Sequence, residues 1–244
     1  MEHNLPTFAV RPKKLIYFLS FITFLLLMAH IFGLVHKYVF HAPDDIQTFD
    51  LDQEGNIPAF FSTCLFLINA ALFFLLWKVK DCVDGSRKIW LFLAGLLFFL
   101  GIDEFAALHE RLIKPVKSLL PVSGVFYYAW IIPYGIALVV LAFFLVPKLW
   151  KLDRPTRSGF MLSAIVFVTG AIGFEMLSGQ YMDGKTETDL VFGLLVAGEE
   201  ILEMMGLIIL INTTLERIQR RHGGFVVHMA GAKSLAPTPL SSLR

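Results

Sequence analysis

Six apolar blocks, each of roughly 20 residues, restrict the fold of this chain more than any other feature of its sequence. They cover residues 15–35, 57–79, 88–108, 125–146, 158–177 and 190–212. A helix rises about 1.5 Å per residue, so a helix of this length crosses the roughly 30 Å hydrocarbon core of a bilayer. The sequence therefore predicts an all-α, polytopic membrane bundle of six transmembrane helices, with residues 15–213 as the membrane domain.

Composition supports a membrane setting, because 56% of the residues are hydrophobic and only 17% are charged. A soluble domain averages about 45–50% apolar and about 25% charged residues. The net charge of +1 provides no field that would attract nucleic acid, so the lipid bilayer is the expected partner. The first block is too long for the apolar core of a signal peptide and is interpreted as a retained helix.

Charges between the blocks predict the orientation of the bundle. Basic residues cluster before the first block and after the second, fourth and sixth, while the loops after the first and fifth blocks are acidic. By the positive-inside rule, both termini are expected in the cytoplasm. Residues 1–14 would form a cytoplasmic N-terminus and residues 214–244 a disordered cytoplasmic tail. The loop after the third block departs from this pattern, since it must face outward although it carries Arg111, Lys114 and Lys117.

Ionisable residues inside the blocks are the strongest indication of a functional site. Each costs at least about 2.5–3.5 kcal/mol at membrane depth, so such residues usually serve a function. The residues concerned, from the third, fifth and sixth blocks, are Asp103, Glu104, His109, Glu110, Glu175, Glu199, Glu200 and Glu203. Counting about 1.5 Å per residue from the block ends places all of them in the outer half of the bilayer. This common depth predicts one shared site.

Helical phase separates these residues into two groups. Glu199, Glu200 and Glu203 share an arc of about 100° on the sixth helix and would repel one another without a cation, a proton or an arginine between them. Asp103 and His109, in contrast, point in different directions unless the third helix breaks near them. A purely structural alternative is that Arg111 neutralises Glu104.

Three functional hypotheses follow from this cluster. Carboxylates with a histidine are a ligand set for Zn, Fe or Mn, which favours a metal site, with catalysis left open. The Glu-x-x-His spacing of helical di-metal proteins is absent. Buried acids also suit proton or cation handling. Finally, the chain could be a non-catalytic accessory subunit of a membrane complex whose polar groups only lock helix packing.

The acidic loop before the second block resembles the start of a calcium loop, with Asp50, Asp52 and Glu54 at alternate positions. The twelfth position, which needs an acid, is Phe61, so an EF-hand is rejected. A looser cation contact, or a lid over the outer site, is an alternative interpretation of this loop.

Three motifs carry a resemblance to known sequences. They are the run from Phe49 to Pro58, the run Ile102-Asp-Glu-Phe-Ala-Ala-Leu-His-Glu110, and the run Glu199-Glu-Ile-Leu-Glu-Met-Met-Gly206. Together they are similar to a group of uncharacterised bacterial multi-pass membrane proteins. This resemblance implies a bacterial inner membrane location and implies no activity.

Overall fold

The computed structural model describes residues 7–8, 12–41, 47–83, 85–223 and 227–228. The helices in these ranges are α1 (Pro12–Leu34), α2 (Ile57–Lys78), α3 (Lys88–Ala106), α4 (Ile113–Leu119), α5 (Ile131–Leu149), α6 (Arg154–Val168), α7 (Glu175–Met182) and α8 (Leu190–His222). π-Helical turns extend α1 over Val35–Val39 and join α6 to α7 over Thr169–Phe174. A two-residue antiparallel ladder pairs β1 (Thr7–Phe8) with β2 (Val227–His228). The fold is therefore helical, as predicted.

Five helical segments are long and apolar enough to cross a membrane. They are Pro12–Val39, Ile57–Lys78, Lys88–Ala106, Ile131–Leu149 and Arg154–Met182, and they correspond to the first five predicted blocks. The sixth block also forms one helix, α8. Glutamates interrupt its apolar sequence, so α8 carries too many charged residues to be counted with these five segments. Five of the six predicted blocks are thus confirmed as helices that are long and apolar enough to span a membrane.

Helix α8 differs from its predicted extent. It continues to His222 rather than ending near residue 212, so the predicted disordered tail 214–244 begins inside a helix. Residues 224–226 and 229–244 of that tail, and 1–6 and 9–11 of the predicted N-terminus, lie outside the described residues. Side chains along the whole length of α8 are buried, because it packs against α1, α2 and α6 in the centre of the bundle.

Local sequence explains where several helices begin. The Asn56 side chain accepts a hydrogen bond from the Ala59 N–H at 3.2 Å, and Pro58 lies in the first turn of α2. Asp189 caps α8 in the same way, accepting from the Phe192 N–H at 3.0 Å.

Glycines allow α6 and its π-helical extension to approach α8 closely. A Cβ atom on Gly170 would lie 2.7 Å from the Glu199 carbonyl oxygen, and one on Gly206 would lie 2.8 Å from the Phe167 backbone nitrogen. Since real side chains do not approach so closely, these positions require glycine. The two helices therefore approach closely beside the acidic residues.

One end of the bundle, which we call the acidic end, carries the loop 47–56. The opposite, basic end is held together by Arg217 of α8, a fully buried side chain. Its guanidinium donates to Asp81 at 2.6 Å and to Asp153 at 2.8 Å, which joins two loops to the last turns of α8. The axial position of α8, and of its glutamates, is therefore determined at both ends of the bundle.

Helix α5 lies at the edge of the bundle, and Ile131 is its one buried residue. The other helices do not pack closely against it, so a large cavity separates α5 from α3, α6 and α8.

Candidate functional site

The cavity beside α5 has a volume of about 630 Å³. All eight residues that the sequence singled out line it, namely Asp103, Glu104, His109, Glu110, Glu175, Glu199, Glu200 and Glu203. They gather toward the acidic end, where α3, α7 and α8 converge. No lysine or arginine is among the described residues that line this cavity.

Helix α3 ends before His109, and the turn that follows the helix brings His109 back to the cluster. Ala107 adopts a left-handed conformation with φ of 47° and ends the helix. The His109 N–H then donates to Asp103 Oδ1 at 2.8 Å, and His109 Nδ1 lies 3.3 Å from Asp103 Oδ2. Helical phase had required such a break if the polar groups of the third block were to meet. Arg111 does not neutralise Glu104 as the structural alternative supposed; it donates to the Ala106 carbonyl at 3.3 Å.

The loop 47–56 adds two acids that were not among the predicted site residues, Asp52 and Glu54, and both line the cavity. His30 of α1 holds this loop in place. Its Nδ1 accepts from the Leu51 N–H at 3.1 Å, and its Nε2–H donates to the Gly193 carbonyl at 3.2 Å. The interpretation of this loop as a lid over the site was the sequence signal that pointed to Asp52 and Glu54.

Three side chains at the acidic end lie close enough together that they could hold a metal ion. Glu54, His109 and Glu110 each offer a ligand atom, and these atoms lie within 4.8 Å of one another. Two of the three were predicted from sequence, while Glu54 comes from the folded loop.

The glutamates of α8 lie deeper in the cavity. Glu203 is buried, and Glu199 and Glu200 are partly buried. A Cβ atom on Gly170 would lie 3.0 Å from Glu203 Cγ, so the π-helical turn approaches the glutamate side of α8 closely. Such turns insert an extra residue into a helix and are frequent at functional sites. Here the turn precedes Glu175 directly.

Aromatic side chains from the start of α5 form the opposite wall. The Trp130 Nε1–H donates to Glu175 Oε1 at 3.0 Å, and the Tyr134 hydroxyl donates to Asp103 Oδ1 at 3.0 Å. The His109 and Trp130 ring centroids are 4.7 Å apart. Neither Trp130 nor Tyr134 was among the site residues predicted from sequence, because neither lies in a cluster of polar residues along the chain.

Electrostatics at the acidic end favour uptake of positive charge. Burial and repulsion from neighbouring carboxylates raise the pKa of Asp52 to about 7. Burial and repulsion from Glu104 raise the pKa of Glu54 to about 8, against the opposing effect of His109. Burial lowers the pKa of His109, but the hydrogen bond to Asp103 and the surrounding carboxylates raise it overall. Near neutral pH the acidic end therefore binds protons, which a metal cation would displace.

Comparison with known protein families gives one match. The model of a domain of unknown function, DUF8692, matches residues 18–218, which include every residue of the candidate site. The chain therefore belongs to this family. No curated protein and no solved structure matches it.

Proposed function

We propose that this member of the DUF8692 family is a six-span inner membrane protein with both termini in the cytoplasm, and that it binds a divalent transition metal at its acidic, outward-facing end. Five apolar helices support the membrane assignment, and the burial of α8 among them suits a sixth span whose polar groups face inward. The observation that carries the metal proposal is the approach of Glu54, His109 and Glu110 to within 4.8 Å.

The donor set suits Zn, Fe or Mn. One imidazole nitrogen and two carboxylates are ligands that these metals accept, and Asp103 orients the His109 ring as acidic partners commonly orient metal-bound histidines. Charge supports the same conclusion. The cavity contains many carboxylates and no lysine or arginine among the described lining residues, so either bound protons or a cation must offset their repulsion, and a metal ion would supply that charge.

The inner glutamates extend the site. Glu104, Glu199, Glu200 and Glu203 line the same cavity below the three proposed ligands. Carboxylates can bridge two metal ions, and the set is large enough to hold a second ion deeper in the bundle. When bound, a metal would supply Lewis acidity and an activated water to any substrate that enters. The chain itself would orient that substrate through the Trp130 and Tyr134 donors and exclude bulk water through the loop 47–56.

Metal analysis of the detergent-purified protein tests the proposal. After growth with Zn, Fe and Mn, we expect close to stoichiometric retention of one of these metals through gel filtration. His109→Ala and Glu54→Gln should lose it. His36→Ala and Glu187→Gln change the same residue types outside the cavity and should retain it.

Equal metal content in all four variants would show that the metal lies elsewhere. No retained metal in the wild type, and no thermal stabilisation when Zn, Fe or Mn is added, would leave the cluster as a proton-bound or structural element.

A further inference from the structure

The cavity has two chemically different parts. Its carboxylates and His109 lie toward the acidic end, whereas the remainder is formed mainly by aliphatic and aromatic side chains of α2, α3, α5, α6 and α8. On α5 the lining residues recur every three or four positions, so they occupy one face of the helix. They are Tyr134, Ala137, Leu138, Leu141, Leu145 and Leu149. From Tyr134 to Leu149 this face extends about 22 Å along the helix axis.

Aromatic rings close the cavity toward the basic end. Phe73 and Phe160 line it and pack edge to face, with centroids 5.8 Å apart. Trp90 stacks on Phe73 with centroids 5.7 Å apart, and the Arg217 guanidinium lies 5.2 Å from the Trp90 ring centroid. A polar path from the carboxylates to the basic end is thus interrupted by these rings. The cavity is therefore polar at the acidic end and apolar along its sides and toward the basic end.

We propose that this cavity binds a long-chain amphiphile, with its hydrocarbon chain along α5 and an anionic oxygen head group at the carboxylate and histidine cluster. The volume of about 630 Å³ falls within the range of small-molecule sites, roughly 300–1,000 Å³. Its length suits one extended chain, and the loosely packed α5 offers a route from the bilayer. An apolar space of this size next to lipid would not stay empty, since lining atoms without partners lose their dispersion contacts.

The head group assignment rests on the proposed metal. Carboxylates would repel an anionic head, whereas a bound cation would coordinate its oxygen atoms. Binding of a carboxylate or phosphate head should therefore depend on metal. An amine head would behave in the opposite way, because the metal-free cluster attracts it. The chain assignment does not depend on metal.

A photolabelling experiment separates these two assignments. The probes are a C16 fatty acid and a C16 alkylamine, each with a diazirine in the chain, applied to the full-length protein in detergent with added Zn or with a chelator. We expect the fatty acid to label α5 and α6 and the labelling to fall on chelation, while labelling by the amine rises. Loss of the metal dependence, or its reversal, would overturn the head group assignment.

Two substitutions of the same type on one helix test the chain assignment. Ala137 lines the cavity and Ala142 does not. Ala137→Trp should reduce labelling by both probes by about tenfold, since a bulky side chain would occupy the space of the ligand. Ala142→Trp should leave the labelling unchanged. Ala164→Trp enters the same space from α6 and replaces Ala137→Trp if that variant does not fold.

The results distinguish this inference from the proposed function. If labelling is blocked by Ala137→Trp and no metal binds, the chain assignment stands and the metal proposal fails. If metal binds and Ala137→Trp and Ala142→Trp label equally, the amphiphile site is refuted while the metal proposal stands. Absence of labelling in native membranes would indicate that a partner helix fills the cavity, which would also overturn the inference.

Discussion

Replacement of Arg217 by methionine should destabilise the protein strongly, although this residue lies far from the candidate site. The side chains of Arg217 and Asp81 are 1% and 0% exposed, and their charged atoms are 2.6 Å apart. Removing one member of a buried ion pair typically costs about 3–5 kcal/mol, because the remaining charge is left uncompensated. Here we expect the lower part of that range, since His222 also contacts Asp81 at 3.0 Å.

A loss of about 3 kcal/mol corresponds to a decrease in Tm of about 6–12 °C for a chain of this size. The assay is thermal unfolding in mild detergent, followed by tryptophan fluorescence. Arg220→Met is the matched control, because Arg220 is 38% exposed and exposed ion pairs contribute about 0–1 kcal/mol. Adding Asp81→Asn to Arg217→Met should recover part of the loss. If Arg217→Met lowers Tm no more than Arg220→Met does, the reasoning about this buried pair is refuted.

Three further predictions concern the site itself. Gly170→Ala should destabilise the protein by about 1–3 kcal/mol and weaken metal binding, because its Cβ would meet the α8 backbone. The control is Gly173→Ala, whose added Cβ would have its nearest contact at 3.8 Å. This control should change neither the unfolding temperature nor the retained metal. Asp103→Asn should weaken metal affinity about 10–100-fold in a competition titration by removing the partner that orients His109, and unchanged affinity would contradict that role. The metal-free protein should lose stability as pH rises from about 5 to 8.5, because folding raises the pKa of Glu54 and the stability gained by its protonation disappears as that group ionises. Glu54→Gln should flatten the dependence of Tm on pH over this range. An equally steep dependence in this variant would contradict the role given to Glu54.

The sequence predicted those parts of the fold that depend on local patterns. The length of the apolar blocks located five helical segments, including the start of α2 at Ile57. Conflicting helical phase at Asp103 and His109 anticipated the break at Ala107. Each of these features is encoded within a few turns of one helix, so neither tertiary contacts nor the positions of other segments were needed to find them.

The remainder depends on contacts between distant segments. Asp52 and Glu54 reach the cavity because His30 holds their loop against the start of α8, an arrangement that no local pattern encodes. The hydrogen bond from Trp130 to Glu175 likewise joins residues 45 positions apart. Arg217 looked like one of several topology-determining charges because its buried partner, Asp81, lies 136 positions away. Acid composition therefore identified the region of the site but not its full set of residues.

X-ray absorption at the edge of the bound metal tests the central claim most directly. For wild-type protein loaded with Zn, our account predicts coordination by oxygen atoms and one imidazole nitrogen at about 2.0–2.2 Å, without sulfur. Any Zn that His109→Ala still retains should show no imidazole scattering, and His36→Ala should leave the spectrum unchanged. A wild-type spectrum of fully hydrated Zn, or an imidazole signal that persists in His109→Ala, would contradict a metal site built from Glu54, His109 and Glu110.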